Sequence, residues 1–334
     1  MMSNSMRWAW EENACADREP LRLAPAFKAY LWGGQRLRRE FGKETDMNPL
    51  AESWELTVRP DGMNVIENGE YAGMTLGEYI EKAGNSVIAA GYDADRFPLL
   101  IKFIDARDRL SIQVHPSDDY ALANENEYGK TEVWYIVEAD EGAELVFGLS
   151  RDYTKEAFDK AVAENTVETL LNRVKVHAGE VYFIPSGLVH AIGAGILICE
   201  IQQNSNVTYR VYDYGRLGKD GKPRETHVEQ AKKVIVNYTP EEIEALRFAA
   251  AKERTDTLLT ACDKFTVNRY EFTELTLEAG ADSFLSVTFL DGEGTIEADG
   301  RTYAFKKGDT YYMPAGMGSF TLRSAGASCV AAGI

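Results

Sequence analysis

The sequence predicts a mainly β fold, a sandwich or barrel to which a few helices are added. Two observations lead to this class: short runs rich in β-branched and aromatic residues recur along the chain, and turns containing Gly or Pro separate them. Such strands cannot supply the crossover helices of a parallel sheet. The predicted strands are 53–58, 97–104, 110–115, 132–137, 143–147, 181–184, 196–202, 265–277, 284–290, 294–298, 301–305, 310–313 and 318–323.

Helical patterns are few. The spacing of apolar residues predicts helices over 75–90, 117–127 and 154–173. A further helix is expected to begin near Thr239, because threonine can cap a helix and the following Pro240 suits its first turn. These helices are additions to the β framework.

The polar and charged segment 238–258 is interpreted as a connection between two units of unequal size. We expect an N-terminal domain over 1–240, which carries the helical insertions, and a smaller C-terminal domain over 259–334. With 334 residues, the chain is long enough for two domains of ordinary size.

An internal repeat supports this division. Segment 179–190 (GEVYFIPSGLVH) and segment 308–319 (GDTYYMPAGMGS) share the pattern G-[ED]-x-Y-[FY]-x-P-x-G, and each reads as strand, turn and strand. The first copy ends on His190, whereas Ser319 occupies the matching position of the second. If the first copy binds a metal, the second has lost a ligand.

Composition and cysteine usage are those of an ordinary globular protein. Apolar residues make up 45% and charged residues 27% of the chain, so a sizeable core needs no disulfide or structural metal. The cysteines are far apart and form no CxxC pair, which argues against a disulfide framework and a zinc finger. The four cysteines are Cys15, Cys199, Cys262 and Cys329.

The net charge of −17 limits the partners that the protein can bind. It repels nucleic acid and anionic membranes at long range, and an anionic substrate would need a local basic pocket. The chain shows no apolar run of membrane-spanning length, and its first twenty residues show no secretory signal. We therefore expect a cytoplasmic protein that binds neither nucleic acid nor membrane.

A candidate metal site combines four residues. Gln113 and His115 are two apart on a predicted strand, so both side chains should lie on one face. Glu132 begins the next predicted strand, and His190 follows a Pro-Ser-Gly turn. Two imidazoles, a carboxylate and an amide oxygen suit a divalent cation, and the nitrogen ligands favour zinc.

Each histidine alone has a simpler interpretation, since a buried histidine is usually a hydrogen-bonded core residue. We assign His177 and His227 to structural or surface roles on this ground. Taken together, however, the QxH pair, the glutamate at a strand start and the histidine after the turn favour a metal site. His115, Glu132 and His190 could also form the two-histidine, one-carboxylate triad of a non-haem iron dioxygenase, which is the main alternative.

Longer motifs carry a resemblance to a known family. The motifs are WGG at 32–34, AESWEL at 51–56, QVHPSD at 113–118, KTE at 130–132, IPSGLVHAIG at 184–193 and EIQQNSNVTYRVYDYGR at 200–216. Through them the chain resembles the type I mannose-6-phosphate isomerases of the cupin superfamily over about its first two thirds, and its length resembles the short bacterial members.

The resemblance implies two cupin barrels, also called jelly rolls or double-stranded β-helices. The N-terminal barrel would be catalytic, and the C-terminal one would be a degenerate copy without a metal site. It also implies one zinc ion and the interconversion of mannose 6-phosphate and fructose 6-phosphate through an enediol. A sugar phosphate is thus the expected small-molecule partner, and we expect a monomer or weak homodimer. The implied metal ligands are Gln113, His115, Glu132 and His190.

The same resemblance assigns catalytic roles to Glu200 and Arg210, and it places Arg216 near the phosphate or the reacting carbons. Which of these groups, or a metal-bound water, removes the proton is left open by the sequence. A non-catalytic sugar-phosphate sensor of the same fold is a further alternative.

Three more residues beside the ligand strands are candidates for substrate binding: Ser111, Lys102 and Lys130. Lysine in a β protein is ordinarily solvated, but Lys102 interrupts the apolar run FPLLIKFI. Several cations near the metal would overcome the negative net charge and hold a phosphate.

Overall fold

The computed structural model describes residues 18–150, 153–218, 221–248 and 256–334. The mainly β prediction is confirmed. The strands are β1 (Leu21–Ala24), β2 (Ala26–Lys28), β3 (Glu52–Leu56), β4 (Val58–Arg59), β5 (Gly62–Met63), β6 (Val65–Ile66), β7 (Leu99–Ala106), β8 (Ile112–Val114), β9 (Glu132–Ala139), β10 (Glu144–Leu149), β11 (Leu171–Lys175), β12 (Val181–Ile184), β13 (His190–Ile192), β14 (Ile196–Gln203), β15 (Tyr209–Tyr212), β16 (Arg247–Phe248), β17 (Asp256–Ala261), β18 (Thr266–Ala279), β19 (Leu285–Asp291), β20 (Glu293–Ala298), β21 (Arg301–Lys306), β22 (Thr310–Met313) and β23 (Gly318–Gly333).

The helices are short. They are Arg36–Arg39, Leu76–Ala83, Asp118–Asn124, Lys155–Ala163, Val228–Val234 and Pro240–Ala245. Within the described ranges, none combines the length and the apolar character that crossing a membrane requires.

Two helix starts follow from capping. Thr75 and Thr239 each accept a hydrogen bond from the backbone of a glutamate three residues on, and that glutamate bonds back to the threonine N–H. The start predicted near Thr239 is confirmed. The helix predicted over 75–90 is shorter, because Gly84 has φ +82° and ends it after Ala83.

The helix predicted over 154–173 was too long. The helix Lys155–Ala163 stops before Asn165, whose φ of +57° lies in the left-handed region. A 3₁₀ turn over Val167–Leu170 follows, and Leu171 then opens β11. The same apolar residues that suggested a longer helix thus serve a turn and an edge strand.

Two antiparallel sheets face each other in the N-terminal unit. The seven-stranded sheet has the order β16-β12-β9-β14-β7-β3-β2, and the five-stranded sheet has the order β11-β10-β13-β8-β15. Their facing sides share an apolar cluster that includes Trp134, Phe147, Tyr182 and Ile198. This arrangement fits the predicted barrel.

The seven-stranded sheet is buried on both faces, which explains its almost continuous apolar runs. On β7, Ile101 and Phe103 point to a cluster that includes Phe284 and Val330 of the C-terminal unit. Lys102 alternates with these two residues and therefore points to the opposite face, between the two N-terminal sheets. Lys102 is therefore buried between the two sheets, with 5% of its surface exposed.

A third sheet, of nine strands, contains the C-terminal unit. Its order is β17-β18-β23-β19-β22-β1-β6, and the hairpin β20–β21 is attached to β23. The first described strand, β1, pairs with β22, so Leu21 lies opposite Tyr312. The N-terminal segment therefore contributes to this sheet, and the division into 1–240 and 259–334 stays a prediction.

Both copies of the repeat fold as strand, turn and strand. β12 and β22 come before the turn, and each turn contains a glycine in the left-handed region, Gly187 (φ +86°) or Gly316 (φ +75°). After the turn, His190 is fully buried, whereas Ser319 is exposed on β23. The two copies thus share their backbone and differ in the residue that could bind a metal.

A buried ion pair of the N-terminal unit is hydrogen-bonded to the C-terminal unit. Lys43 Nζ lies 2.7 Å from Glu55 Oε1 and donates to the carbonyl of Gly308 at 2.6 Å. The Glu55 carboxylate also accepts hydrogen bonds from Ser53 at 2.5 Å and from Thr310 at 3.2 Å. Gly308 and Thr310 belong to the second repeat copy. That copy therefore hydrogen-bonds to the face of β3 that carries Glu55.

Replacing Lys43 by methionine should lower the free energy of unfolding by about 3 kcal/mol, because the buried Glu55 carboxylate loses its counter-charge. Urea unfolding followed by fluorescence measures the loss. Arg323→Ala is the control, since Arg323 pairs with Glu274 and Glu297 at the surface and should cost no more than about 1 kcal/mol. Equal losses for both variants would contradict the prediction.

Candidate functional site

The candidate metal ligands come from both N-terminal sheets. Gln113 lies on β8 and His115 directly follows it, and His190 opens the neighbouring strand β13, opposite Gln113. Glu132 opens β9 of the seven-stranded sheet, directly opposite Gln202 of β14. The structure thus brings together the four residues that the sequence predicts.

Three of these residues form a tight buried cluster. Glu132 Oε1 lies 2.9 Å from His115 Nε2 and 3.4 Å from His190 Nε2. The three ligand atoms are within 4.8 Å of one another, and all three side chains are buried. In the part of the chain that the structure describes, no other group of histidine, cysteine and acidic residues comes together in this way.

Backbone carbonyls fix the tautomer of both histidines. His115 Nδ1 lies 2.9 Å from the Val207 carbonyl, and His190 Nδ1 lies 2.8 Å from the Leu188 carbonyl. A carbonyl can only accept, so each Nδ1 carries the proton and each Nε2 presents a lone pair. These lone pairs point towards Glu132 Oε1, which receives no hydrogen bond from the residues that the structure describes. Converging lone pairs without a proton between them fit a cation.

Burial sets the charges of the cluster. Burial and the neighbouring Lys130 ammonium hold the pKa of His115 well below its usual value, and burial also lowers the pKa of His190. Burial alone would raise the pKa of Glu132, but Lys130 and other nearby groups lower it to about 2. The site is therefore two neutral imidazoles and one carboxylate, the protonation states that metal ligation requires.

Two further side chains touch the cluster. Gln113 Nε2 lies 3.3 Å from His190 Nε2. Lys130 Nζ lies 3.2 Å from His115 Nε2 and 3.5 Å from Glu132 Oε2. Lys130 thus places a positive charge against the lone pairs that a cation would use.

A hydrogen-bonded chain links the cluster to Glu200. Trp134 Nε1 lies 3.2 Å from Glu132 Oε2 and donates to Glu200 Oε2 at 2.9 Å. Lys102 Nζ lies 3.2 Å from Glu200 Oε1. Burial, followed by the negative charge of Glu132, raises the pKa of Glu200. The pKa of Lys102 is also raised, because the effect of nearby carboxylates, Glu200 first, outweighs burial.

A cleft of about 350 Å³ opens beside this cluster, a volume suited to a small ligand. Six of the ten predicted site residues line it: Lys102, Ser111, Gln113, Lys130, Glu200 and Arg210. The remaining lining residues are Tyr30, Trp32, Glu52, Trp54, Ile104, Leu110, Ile192, Asn206, Thr208 and Arg224.

Arg216 does not line the cleft. It donates to the carboxylate of Asp213 and, at 2.6 Å, to the carbonyl of Arg109. Arg210, in contrast, lines the cleft and donates to the carbonyl of Glu225 at 2.6 Å. Sequence proximity to the ligand strands thus did not distinguish an arginine in the cleft from one beside it.

Two cleft residues on β3 are outside the set of ten predicted site residues. Trp54 Nε1 donates to Glu52 Oε2 at 2.6 Å, and both side chains face the cleft. The neighbouring Glu55 faces the opposite side together with Ser53, because successive side chains of a strand alternate between its faces. The alternation of Glu52 with Trp54 in the AESWEL motif is the signal that could have identified the pair.

The other histidines are placed as predicted. His177 is exposed, with its Nδ1 3.3 Å from Glu180 Oε1. His227 Nδ1 accepts from the backbone N–H of Arg210 at 3.2 Å. Both positions are outside the metal cluster.

Comparisons with known proteins identify the family of the chain. A family model of the type I phosphomannose isomerase catalytic domain matches residues 21–159, and one of the mannose-6-phosphate isomerase cupin domain matches residues 254–332. The chain is 38% identical over 305 residues to mannose-6-phosphate isomerase ManA of Bacillus subtilis (strain 168), which covers 91% of this chain and 96% of the relative. It is also 38% identical over 305 residues to mannose-6-phosphate isomerase of Streptococcus mutans, covering 89% and 92%.

Solved structures show the same architecture. The crystal structure of mannose 6-phosphate isomerase from Bacillus subtilis matches with a TM-score of 0.84 at 33% identity, covering 95% of this chain and 100% of that one. A putative mannosephosphate isomerase from Archaeoglobus fulgidus shares the fold, with a TM-score of 0.77 at 19% identity and coverage of 95% and 98%. The predicted resemblance is confirmed, and the chain belongs to the type I mannose-6-phosphate isomerases, a family of cupin enzymes.

Proposed function

We propose that the chain interconverts mannose 6-phosphate and fructose 6-phosphate with one zinc ion bound to Gln113, His115, Glu132 and His190. The observation that carries the proposal is the convergence of two proton-free Nε2 atoms and Glu132 Oε1 beside a cleft lined by cations. Family membership supports the reaction.

The donor set supports zinc. Two imidazole nitrogens and a carboxylate oxygen are common zinc ligands. Gln113 would bind through its amide oxygen, because the amide nitrogen offers no lone pair. When bound, the cation would stabilise the negative charge that develops on the substrate oxygens. With a single carboxylate in the set, the site keeps about one net positive charge for that purpose.

Glu200 is the proposed proton carrier. Converting the aldose to the ketose removes the proton from C2 and protonates O1, and the enediol then loses the proton of O2 while C1 is protonated. The buried Glu200 carboxyl, whose pKa is raised by burial, suits a group that takes up and returns a proton. Trp134 and Lys102 hold its two oxygens and thereby fix its direction.

The cations of the cleft have separate proposed roles. Arg210 donates from its guanidinium to the developing oxyanion. Lys102, Lys130 and Ser111 bind substrate oxygens from the floor of the cleft, where all three side chains are buried. Substrate binding by Arg216 stays a prediction; its partners Asp213 and Arg109 support a role in holding the adjoining loop.

Several broader expectations remain part of this proposal. They are the cytoplasmic location, the monomeric or weakly dimeric state, and a C-terminal unit that binds no metal. Membership of a family of isomerases supports neither the iron dioxygenase nor the non-catalytic sensor that the residues alone left open.

The test is turnover of mannose 6-phosphate to fructose 6-phosphate before and after treatment with EDTA, and again after zinc is restored. We expect EDTA to abolish turnover and one zinc ion per chain to restore it. Zinc content is measured alongside by atomic emission. Absence of turnover at full zinc occupancy would refute the substrate, whereas full turnover without metal would refute the cofactor.

A further inference from the structure

One arginine of the cleft has no role in the preceding account. Arg224 lies outside every motif that carried the family resemblance, and it comes from the segment after β15. Building on the proposed function, we infer that Arg224 binds the phosphate of the sugar phosphate at the mouth of the cleft. It would thus set the preference for a phosphorylated sugar.

Carboxylates already balance the charges of the two buried lysines of the cleft, Lys102 and Lys130. Lys102 Nζ lies 3.2 Å from Glu200 Oε1, and Lys130 Nζ lies 3.5 Å from Glu132 Oε2. Each lysine therefore has a buried carboxylate as its partner. The carboxylate of Glu52, which also lines the cleft, adds a further negative charge near Lys102. A dianionic phosphate needs positive charge elsewhere.

The arginines near the mouth provide this charge. Arg224 Nη1 lies 3.5 Å from Asp213 Oδ2, and Arg216 binds Oδ1 of the same carboxylate. One carboxylate thus serves two arginines, and Arg210 adds a third guanidinium. The side chain of Arg224 is 30% exposed, so its guanidinium can meet a ligand that enters from solvent.

The position of Arg224 suits the distance between the two ends of the substrate. The phosphate is on C6, whereas the reaction takes place at C1 and C2, so its binding site should be remote from the metal ligands. Arg216 anchors this segment to the Arg109 carbonyl, two residues before Ser111. Ser111 and Arg224 both line the cleft, whereas the metal-site residues His115, Glu132 and His190 do not. A planar guanidinium can bind two phosphate oxygens at once.

Arg224→Ala should raise the KM for mannose 6-phosphate by about 10- to 100-fold and leave kcat within about threefold, since a charge-assisted contact made equally in the ground and transition states is lost. Inhibition by inorganic phosphate should weaken by a similar factor, and zinc content should not change. Arg224→Lys should recover part of the affinity. If the alanine variant does not fold, Arg224→Gln replaces it.

Arg173→Ala is the matched control, because Arg173 is an exposed arginine that pairs with Glu168 outside the cleft. An unchanged KM and unchanged phosphate inhibition in Arg224→Ala would overturn the inference. So would a rise in KM for Arg216→Ala alone. Calorimetric titration with inorganic phosphate separates this result from failure of the proposed function, since loss of phosphate binding in Arg224→Ala is measurable without turnover.

Discussion

Replacing His190 by alanine is expected to remove the metal and to lower kcat/KM for mannose 6-phosphate by at least about 10³-fold. His190 Nε2 is one of the two proton-free nitrogens that face Glu132 Oε1. Without it, His115 would be the only imidazole left to bind the cation. A cation held less tightly would also balance less of the charge on the fully buried Glu132 carboxylate. Zinc content by atomic emission and steady-state kinetics measure both effects.

His115→Ala should behave in the same way, because its Nε2 lies 2.9 Å from Glu132 Oε1. The matched control is His177→Ala, since His177 is an exposed histidine that contacts only Glu180 among the described ion pairs. The control should keep its zinc and its activity. Full zinc content with full activity in His190→Ala would refute the ligand assignment.

Arg210→Ala is expected to lower kcat by about 10²- to 10³-fold while the zinc content stays unchanged. The guanidinium of Arg210 lines the cleft and has no close contact with a ligand atom among the described hydrogen bonds and ion pairs. Its loss should therefore affect the transition state and not the metal. The measurement is kcat at saturating mannose 6-phosphate, with zinc determined on the same sample.

The Arg210 result should differ from that of Arg224→Ala, which is expected to act on KM. Because Arg210 also donates to the Glu225 carbonyl, Arg210→Lys is a useful second variant that keeps the charge. Arg173→Ala again provides the control. Full turnover by Arg210→Ala would contradict a role for this residue in catalysis.

The metal ligands could be predicted because their signals are local. The spacing of Gln113 and His115 follows from the two-residue period of a strand, and His190 follows a recognisable turn. Lys102 could be identified because a sheet buried on both faces leaves almost no place for a solvated lysine. In each case, a few neighbouring residues contain the physical reason.

Arg224 and the extent of the helices could not be obtained in this way. The sequence does not show whether Arg216 or Arg224 faces the cleft. Both arginines bind Asp213, and the carbonyl of Arg109, 107 residues away in the sequence, holds Arg216 to one side. The segment 154–173 has apolar residues that fit either a longer helix or a turn followed by an edge strand. Pairing of β11 with β10 decides between them, and that pairing is a property of the folded chain.

The contact between Lys43, Glu55 and Thr310 bears on whether the N-terminal half can fold without the C-terminal half. The outer face of its sheet, including Ile101, is covered by the C-terminal half, which also hydrogen-bonds to the Lys43–Glu55 pair through Gly308 and Thr310. Excising that half would expose an apolar surface to water and leave β1 without its neighbour β22. We therefore expect the N-terminal half to need the C-terminal half for its stability, because that half covers its sheet and bonds to its buried ion pair.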